Sequence, residues 1–423
     1  MFKTIANAWK IPEIRSKILY TLLILLVYRL GTFVPVPGVN VEYIQQQVAE
    51  YDILGMLNLF SGSALGNMTI FALGIVPYIN ASIIMQLLTI AIPKLERMSK
   101  EGDDGRKKIS SITRYLGVAL GLVQAIGIMI GLGEEAVEPN ATWFTYVTIV
   151  ACLTAGTALI MWLGERITEK GIGNGISLLI FISIVSSVPS MLADLFGRVG
   201  GGADDMSFWM VILLGGIAFL IILGITLVDL GERRIPVQYA KRVVGRKMYG
   251  GQSTYIPMKV NQSGVMPLIF AITLLMLPGM IAQFLPVDNG FRIWYNQYGT
   301  SGTPFYIIMY GLLILFFTYF YSTIAFNPID VSKNLQQNGG FIPGIRPGKP
   351  TSDYLAKILS RITLFGAVFL ALVAALPMVL NELTGMDSPF GPTSILIMVS
   401  VALETTRQLE AQMMMRHYKG FLN

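Results

Sequence analysis

Apolar residues gather into ten runs along the chain: 18–34, 70–92, 115–133, 144–163, 176–195, 208–228, 265–287, 305–326, 362–380 and 389–403. A helix needs about 20 mostly apolar residues to cross a bilayer, so the pattern predicts ten spanning helices. Between the first two runs lies LNLFSGSALGNM (57–68), half apolar and rich in Gly and Ser. It is too short to span and too apolar for a solvated loop. Two polar connections are long, 229–264 and 327–361. In the first, RRIPVQYAKR and STYIPMKV are β-like runs on either side of YGGQ, which predicts a hairpin. The second is pinned by Pro343, Pro347 and Pro350 and bent by Gly339, Gly340, Gly344 and Gly348. Long loops inside a compact protein are usually functional or disordered. A merely disordered loop would be more polar, so docking of partners is favoured over a passive basic rim, although the positive-inside bias alone explains some of the charge.

Composition agrees with a polytopic membrane protein. Of 423 residues, 53% are hydrophobic and 13% charged, against about 25% charged in a soluble domain. Charge then orients the chain. All but three of the 31 Lys and Arg residues lie at the termini or in the 94–114, 164–175, 229–264 and 327–361 connections. The exceptions are Arg29, inside the first run, and Arg198 and Arg292. By the positive-inside rule both termini are cytoplasmic. The opposite loops collect acids, among them Glu42, Asp52, Glu134, Glu135 and Asp288. Five runs precede the Gly-rich 197–207 connection and five follow it, dividing the chain into halves 1–196 and 208–423. With an odd number of spans per half, a structural repeat must be inverted across the membrane.

Several chemistries are excluded. The single cysteine, Cys152, sits in an apolar run, and the single histidine, His417, is near the C-terminus. Neither a disulfide framework nor a Cys- or His-ligated metal centre is expected, and no cofactor is expected. GIRPGKPT is not a phosphate loop, because Pro343 and Pro350 stand where Gly and Ser or Thr are needed. GIGNGIS (171–177) has the wrong spacing for a dinucleotide fingerprint. No paired carboxylates lie in a span, so the protein is not read as an enzyme. Ion-coupled transporters carry intramembrane charge, yet here the runs are nearly free of it, with Arg29 inside the first. A lone Arg without an acidic partner snorkels or bonds backbone carbonyls. The second run instead carries Asn80, Ser82 and Gln86 beside Pro77. Any one of these amides reads as an interhelical hydrogen bond; together they suggest a helix face that parts from its neighbour and meets water.

GTFVPVPG, NLFSGSALGNMTIFALGIVPYINASIIMQLL, KEGDDGRKKISSITRY, MWLGERITEKGIGNGIS, RRIPVQYAKR, KVNQSGVMPLIFA, FNPIDVSKNLQQNGGFIPGIRPGKPT and FGPTS occur in this order. Together they strongly resemble the bacterial SecY family, the channel-forming subunit of the Sec protein translocase, over essentially the whole chain. The resemblance implies an all-α membrane protein, with ten helices in two inverted halves around a pore that opens sideways to lipid. It implies a plug at Leu57, Asn58, Leu59, Phe60, Ser61, Gly62, Leu65 and Gly66, a short re-entrant helix closing the external funnel. Irregular backbone is tolerated at membrane depth where it lines a cavity. It implies a pore ring of Ile75, Ile79, Leu179, Ile269 and Ile397, Leu179 standing where the usual bacterial pattern has Ile. Ile75 and Ile79, four apart, would share one helix face. It implies a lateral gate carrying Asn80, Ser82 and Gln86, with Gln124 and Asn261 as their partners.

The same resemblance implies docking of the SecA motor ATPase and the ribosome at Arg234, Lys241, Arg242, Arg246, Lys247 and Arg346. SecE and SecG would be partner subunits, signal peptides and nascent chains the substrates, and the cell membrane the location. Two rival readings are a five-plus-five secondary transporter and an insertase without a through pore. The lack of an intramembrane coupling residue and the large basic loops weigh against the first. The plug-like segment and the apolar collar weigh against the second.

Overall fold

Nearly every apolar run becomes a helix in the computed structural model. It describes residues 8–50, 52–139, 141–197, 208–239, 242–244, 247–249, 253–262, 264–283, 285–286, 288–300, 302–384 and 392–419. Helix α1 (Pro12–Gly31) opens with a proline in its first turn, where the missing N–H is not needed. Two short helices follow, α2 (Val41–Glu50) and α3 (Asp52–Ser61). Helix α4 (Val76–Ala91) stops because Ile92 is extended ahead of Pro93. The chain then turns by 100° into α5 (Pro93–Lys100). Helices α6 (Asp103–Leu132), α7 (Trp143–Lys170) and α8 (Gly175–Gly197) complete the first part. At 30 residues α6 is about 45 Å long, so its basic first turns, RKKISS, stand beyond a hydrocarbon layer of about 30 Å.

The second part holds α9 (Phe208–Leu230), α10 (Met266–Gln283), α11 (Gly290–Tyr298), α12 (Pro304–Ala325), α13 (Pro328–Gln337), α14 (Lys349–Thr384) and α15 (Pro392–Lys419). Among the described residues, five helices are long and apolar enough to cross a membrane, or six if α4 and α5 form one bent span. Two further apolar helices, Gly175–Ser190 and Met266–Ala282, are shorter. The other expected spans have visible blemishes. Helix α1 contains Arg15, Lys17 and Arg29, and the start of the tenth run falls at 385–391, outside the described residues. So does most of the 197–207 connection.

Packing divides the helices into two groups. α1 packs on α7 and α8, α4 on α6, and α6 on α7; α10 packs on α12, α12 on α14, α14 on α15, and α15 on α9. The groups meet where α10 touches α4 and α6, and again where α15 touches α8. One apolar cluster runs through both. The outer surface is also apolar: Leu22, Leu26 and Leu30 of α1, Phe219, Leu220 and Leu227 of α9, and Leu364, Phe365 and Leu372 of α14 are exposed. Only 6% of the apolar stretch of α9 is buried. Exposed aliphatic bands of this extent belong in lipid, and the chain is a multi-pass membrane protein.

The two long loops form one small body. Strand β1 (Glu232–Tyr239) pairs antiparallel with β4 (Ser253–Lys259), as the sequence predicts, with Ile235 opposite Ile256. Between them β2 (Arg242–Val244) pairs with β3 (Lys247–Tyr249), with Val244 opposite Lys247, while most of YGGQ lies outside the described residues. From the other loop, β5 (Gly340–Phe341) pairs with β1 through Gln238 and Tyr239. Ile235, Val237 and Met258 bury against Leu335, Ile342, Leu355 and Leu359.

Candidate functional site

The pore-ring residues lie within the first two turns of four helices. Ile75 is the N-cap of α4 and Ile79 follows one turn later; Leu179 opens α8, Ile269 α10 and Ile397 α15. Three of these helices carry proline in their first two residues, Pro77, Pro267 and Pro392, which suits a helix start. The second helix begins later than its apolar run. Residues 70–75 are turns rather than helix. Gly74, at φ +57, breaks any helix there, and the Ile79 N–H reaches the Ile75 carbonyl at 3.1 Å. All five side chains are buried and belong to the one apolar cluster shared by the two helix groups.

The Gly/Ser-rich segment sits against this cluster. Leu57, Phe60 and Leu65 are buried in it, and Leu59 packs on it. The helix expected over 57–66 ends at Ser61, because Gly62 and Ser63 both take φ of 69°. From there the chain closes on itself. Asn58 accepts through Oδ1 from the Gly66 N–H at 2.8 Å and through its carbonyl from the Ser63 N–H at 2.9 Å. Ser61 Oγ donates to the Asn58 carbonyl at 3.0 Å and accepts from the Leu65 N–H at 3.2 Å. A Cβ at Gly62 would lie 3.1 Å from Ser183 Cα, so the segment abuts α8. Toward the other helix group, Tyr306 Oη lies 3.8 Å from Met56 Sδ.

The polar residues of α4 face the second group at one place. Gln86 donates to Ser82 Oγ at 3.0 Å and accepts a short hydrogen bond from Tyr321 Oη of α12. Gln124 of α6 donates to Met280 Sδ of α10 at 3.2 Å, while Asn80 is buried. A cavity of ≈ 470 Å³ opens beside Ser82 and Gln86, reaching Thr113 on α6 and Ile324 on α12. Asn261 is not part of this group. It donates to Asp229 Oδ1 at 2.7 Å, and Ser400 Oγ donates to Asp229 Oδ2 at 2.6 Å. Arg407 also donates to the Asp229 carbonyl. These residues border a separate cavity of ≈ 350 Å³ that Ser177 of α8 and Asn174, just before that helix, also line. Burial and the neighbouring Arg407 hold the Lys259 ammonium there below the usual lysine range. Sequence reasoning missed this knot, although Asp229 at a helix end was its visible signal. Tyr321 gave none, standing in an aromatic-rich run.

On the loop body, Arg234 of β1 is exposed, bonded to Glu232 at 2.6 Å and stacked over Tyr255 at 4.9 Å. Arg242 lies on β2 and Lys247 on β3, while Lys241 and Arg246 fall outside the described residues. Arg346 is exposed between β5 and α14, and its carbonyl accepts from Thr351 Oγ1 at 2.8 Å. The sheet thus brings the two predicted docking loops side by side.

Comparison with known proteins agrees with this arrangement. Residues 69–406 match the SecY family. The protein translocase subunit SecY of Streptomyces galbus is 48% identical over 444 aligned positions, covering 100% of both chains. A solved structure of a protein-conducting channel superposes with a TM-score of 0.69 at 20% identity, over 96% of each chain. A second, a SecY whose plug domain stabilises the closed state of its channel and maintains a membrane seal, gives 0.66 at 19% identity, again over 96% of each. At those identities the structures establish the fold, and the close sequence relative establishes more: the chain belongs to the SecY family.

Proposed function

We propose that the chain is a protein-conducting channel, passing unfolded polypeptides across the membrane and releasing apolar segments sideways into lipid. The observation that carries this is the apolar cluster itself. Five aliphatic side chains, from helices of both packing groups, are buried in one apolar cluster that Leu57, Phe60 and Leu65 of the compact segment also join. A narrow aliphatic collar holds back ions by dewetting, without specific ligands. It can also close around a chain of varying width. The ten runs then act as ten spans in two inverted halves, with cytoplasmic termini, in the cell membrane. Residues 57–66 serve as the plug.

The gate is the seam where α4 and α6 meet α10 and α12. Gln86–Tyr321 and Gln124–Met280 are contacts that cost little to break, because each polar group finds water or a signal peptide when the seam parts. Asn261 acts next to the gate, at the root of α10, rather than across it. The loop body docks the SecA motor ATPase and the ribosome through Arg234, Arg242, Lys247 and Arg346, together with Lys241 and Arg246. SecE and SecG complete the assembly.

The test is disulfide trapping. Cys152 is replaced, one cysteine is set at Ile79 or Ile397, and a precursor with one cysteine in its mature part is stalled midway. Trapping at both collar positions, with none at exposed Leu220, is the expected result. Confirmed stalling without trapping would leave an insertase lacking a through pore.

A further inference from the structure

Arg29 is the one charged residue that the first apolar run carries at depth, near the end of α1 away from the basic face. Among the described residues it forms no ion pair. Its guanidinium instead donates through Nη1 to the Gly62 carbonyl at 3.0 Å and to Thr32 Oγ1 at 3.3 Å, and stands 4.9 Å over the Phe33 ring. Gly62 is the residue that ends α3. The last carbonyls of any helix lack partners within it, and that end carries a partial negative charge. Here the Leu59 carbonyl is met by the Gly62 N–H at 3.2 Å and the Asn58 carbonyl by Ser63. The Ser61 carbonyl is left to Tyr28 Oη at 3.5 Å, and the Gly62 carbonyl to Arg29. Tyr28 is itself held by Ser183 Oγ of α8 at 2.7 Å and is stacked on Phe71 at 5.5 Å.

We infer that Arg29, steadied by Tyr28, is the latch of the closed plug: a fixed cation on α1 that caps the C-terminal end of the plug helix. The inference rests on the plug reading above and names the contact that keeps the plug seated. Its chemistry suits a reversible catch. The acceptor is a main-chain carbonyl, so it is present whatever side chains the plug carries. The donor stays on α1 when the plug leaves and is then solvated by the water that enters the funnel, so no charge is stranded. A carboxylate partner would hold more tightly and would leave two charges to separate. The latch also accounts for a cation at depth on the side of the membrane that carries few of them.

The experiment measures resting ion conductance of the full chain, reconstituted in liposomes with its partner subunits and without a precursor. Arg29→Met is compared with Arg29→Lys, with deletion of 57–66, and with deletion combined with Arg29→Met. Gel filtration of each preparation checks assembly. The deletion is expected to raise the leak most. Arg29→Met should raise it roughly tenfold, the scale of one charge-assisted hydrogen bond lost, and Arg29→Lys less. Arg29→Met should add nothing to the deletion. A leaky deletion with a tight Arg29→Met overturns the latch and leaves the plug standing. Equal effects of Arg29→Met with and without the plug also overturn it, because the residue then acts elsewhere. A deletion that does not leak removes the plug reading and the latch with it. Should Arg29→Met fail to assemble, Arg29→Lys and Tyr28→Phe carry the same comparison.

Discussion

At the scale of single residues, the seal depends on backbones packed at contact distance. A Cβ at Gly156 of α7 would lie 1.7 Å from the Ile70 carbonyl, and one at Gly31 of α1 would lie 2.0 Å from the Phe71 ring. Both glycines press on the turn segment that leads from α3 to Ile75. A carbonyl cannot swing aside as a side-chain tip can, so Gly156→Ala is expected to cost about 3 kcal/mol, read as a lowered unfolding temperature of the purified protein. Gly117→Ala, whose Cβ would meet Tyr78 Cα at 3.5 Å, is ordinary contact and should be neutral. None of this shows in the sequence, where Gly156 and Gly117 look alike. Nor do the ring residues announce themselves. Ile75, Ile79, Leu179, Ile269 and Ile397 are five aliphatics among dozens, and only the family resemblance singles them out. Asn80 and Gln86 stand out, because an amide in an apolar run is conspicuous.

Hydropathy locates the helices well at the scale of elements and locates their ends poorly. Polar turns such as those opening α6 and α14 stay helical outside the apolar layer, so these helices outrun their apolar runs. Helix α4 does the opposite: apolar 70–75 is kept out of it by Gly74 and by the turns that follow α3. Which elements touch was not legible either. Tyr321 of α12 is the partner of Gln86 on α4, whereas Asn261, an equally plausible amide, is tied to Asp229. Removing the Tyr321 hydroxyl takes away about 1 kcal/mol of seam contact. Tyr321→Phe should therefore raise export of a precursor with a weakened signal peptide by about fivefold, measured as protease-protected product. Unchanged export would mean that the seam is held by other contacts.

For the whole molecule, the basic face and the two long loops were legible from charge and length, while their union was not. A two-residue strand such as Gly340–Phe341 leaves no periodic signal, and its pairing with β1 spans distant parts of the chain. The union matters for docking, because Arg234 and Arg346 then belong to one body. If that body meets ribosomal RNA, affinity falls with salt in proportion to the phosphates neutralised. Arg234→Ala combined with Arg346→Ala should weaken ribosome binding and flatten its salt dependence by about one to two phosphate contacts, read by sedimentation over a salt series. Weaker binding with an unchanged slope would mean that these arginines act through shape.

The pairing of β1 with β5 also sets a schedule for the protein's own manufacture. Gln238 waits for Phe341, about 100 residues later, which at roughly 5–20 residues per second is a delay of about 5–20 s. During that interval the intervening helices, α12 among them, must enter the membrane, while β1 and β4 hold an unfinished edge and an uncovered apolar face. The body can close only after the intervening helices have been made and placed so that β5 returns beside β1. Its completion therefore marks a correctly inserted chain, and an unclosed sheet is an edge that aggregation or a quality-control protease can seize.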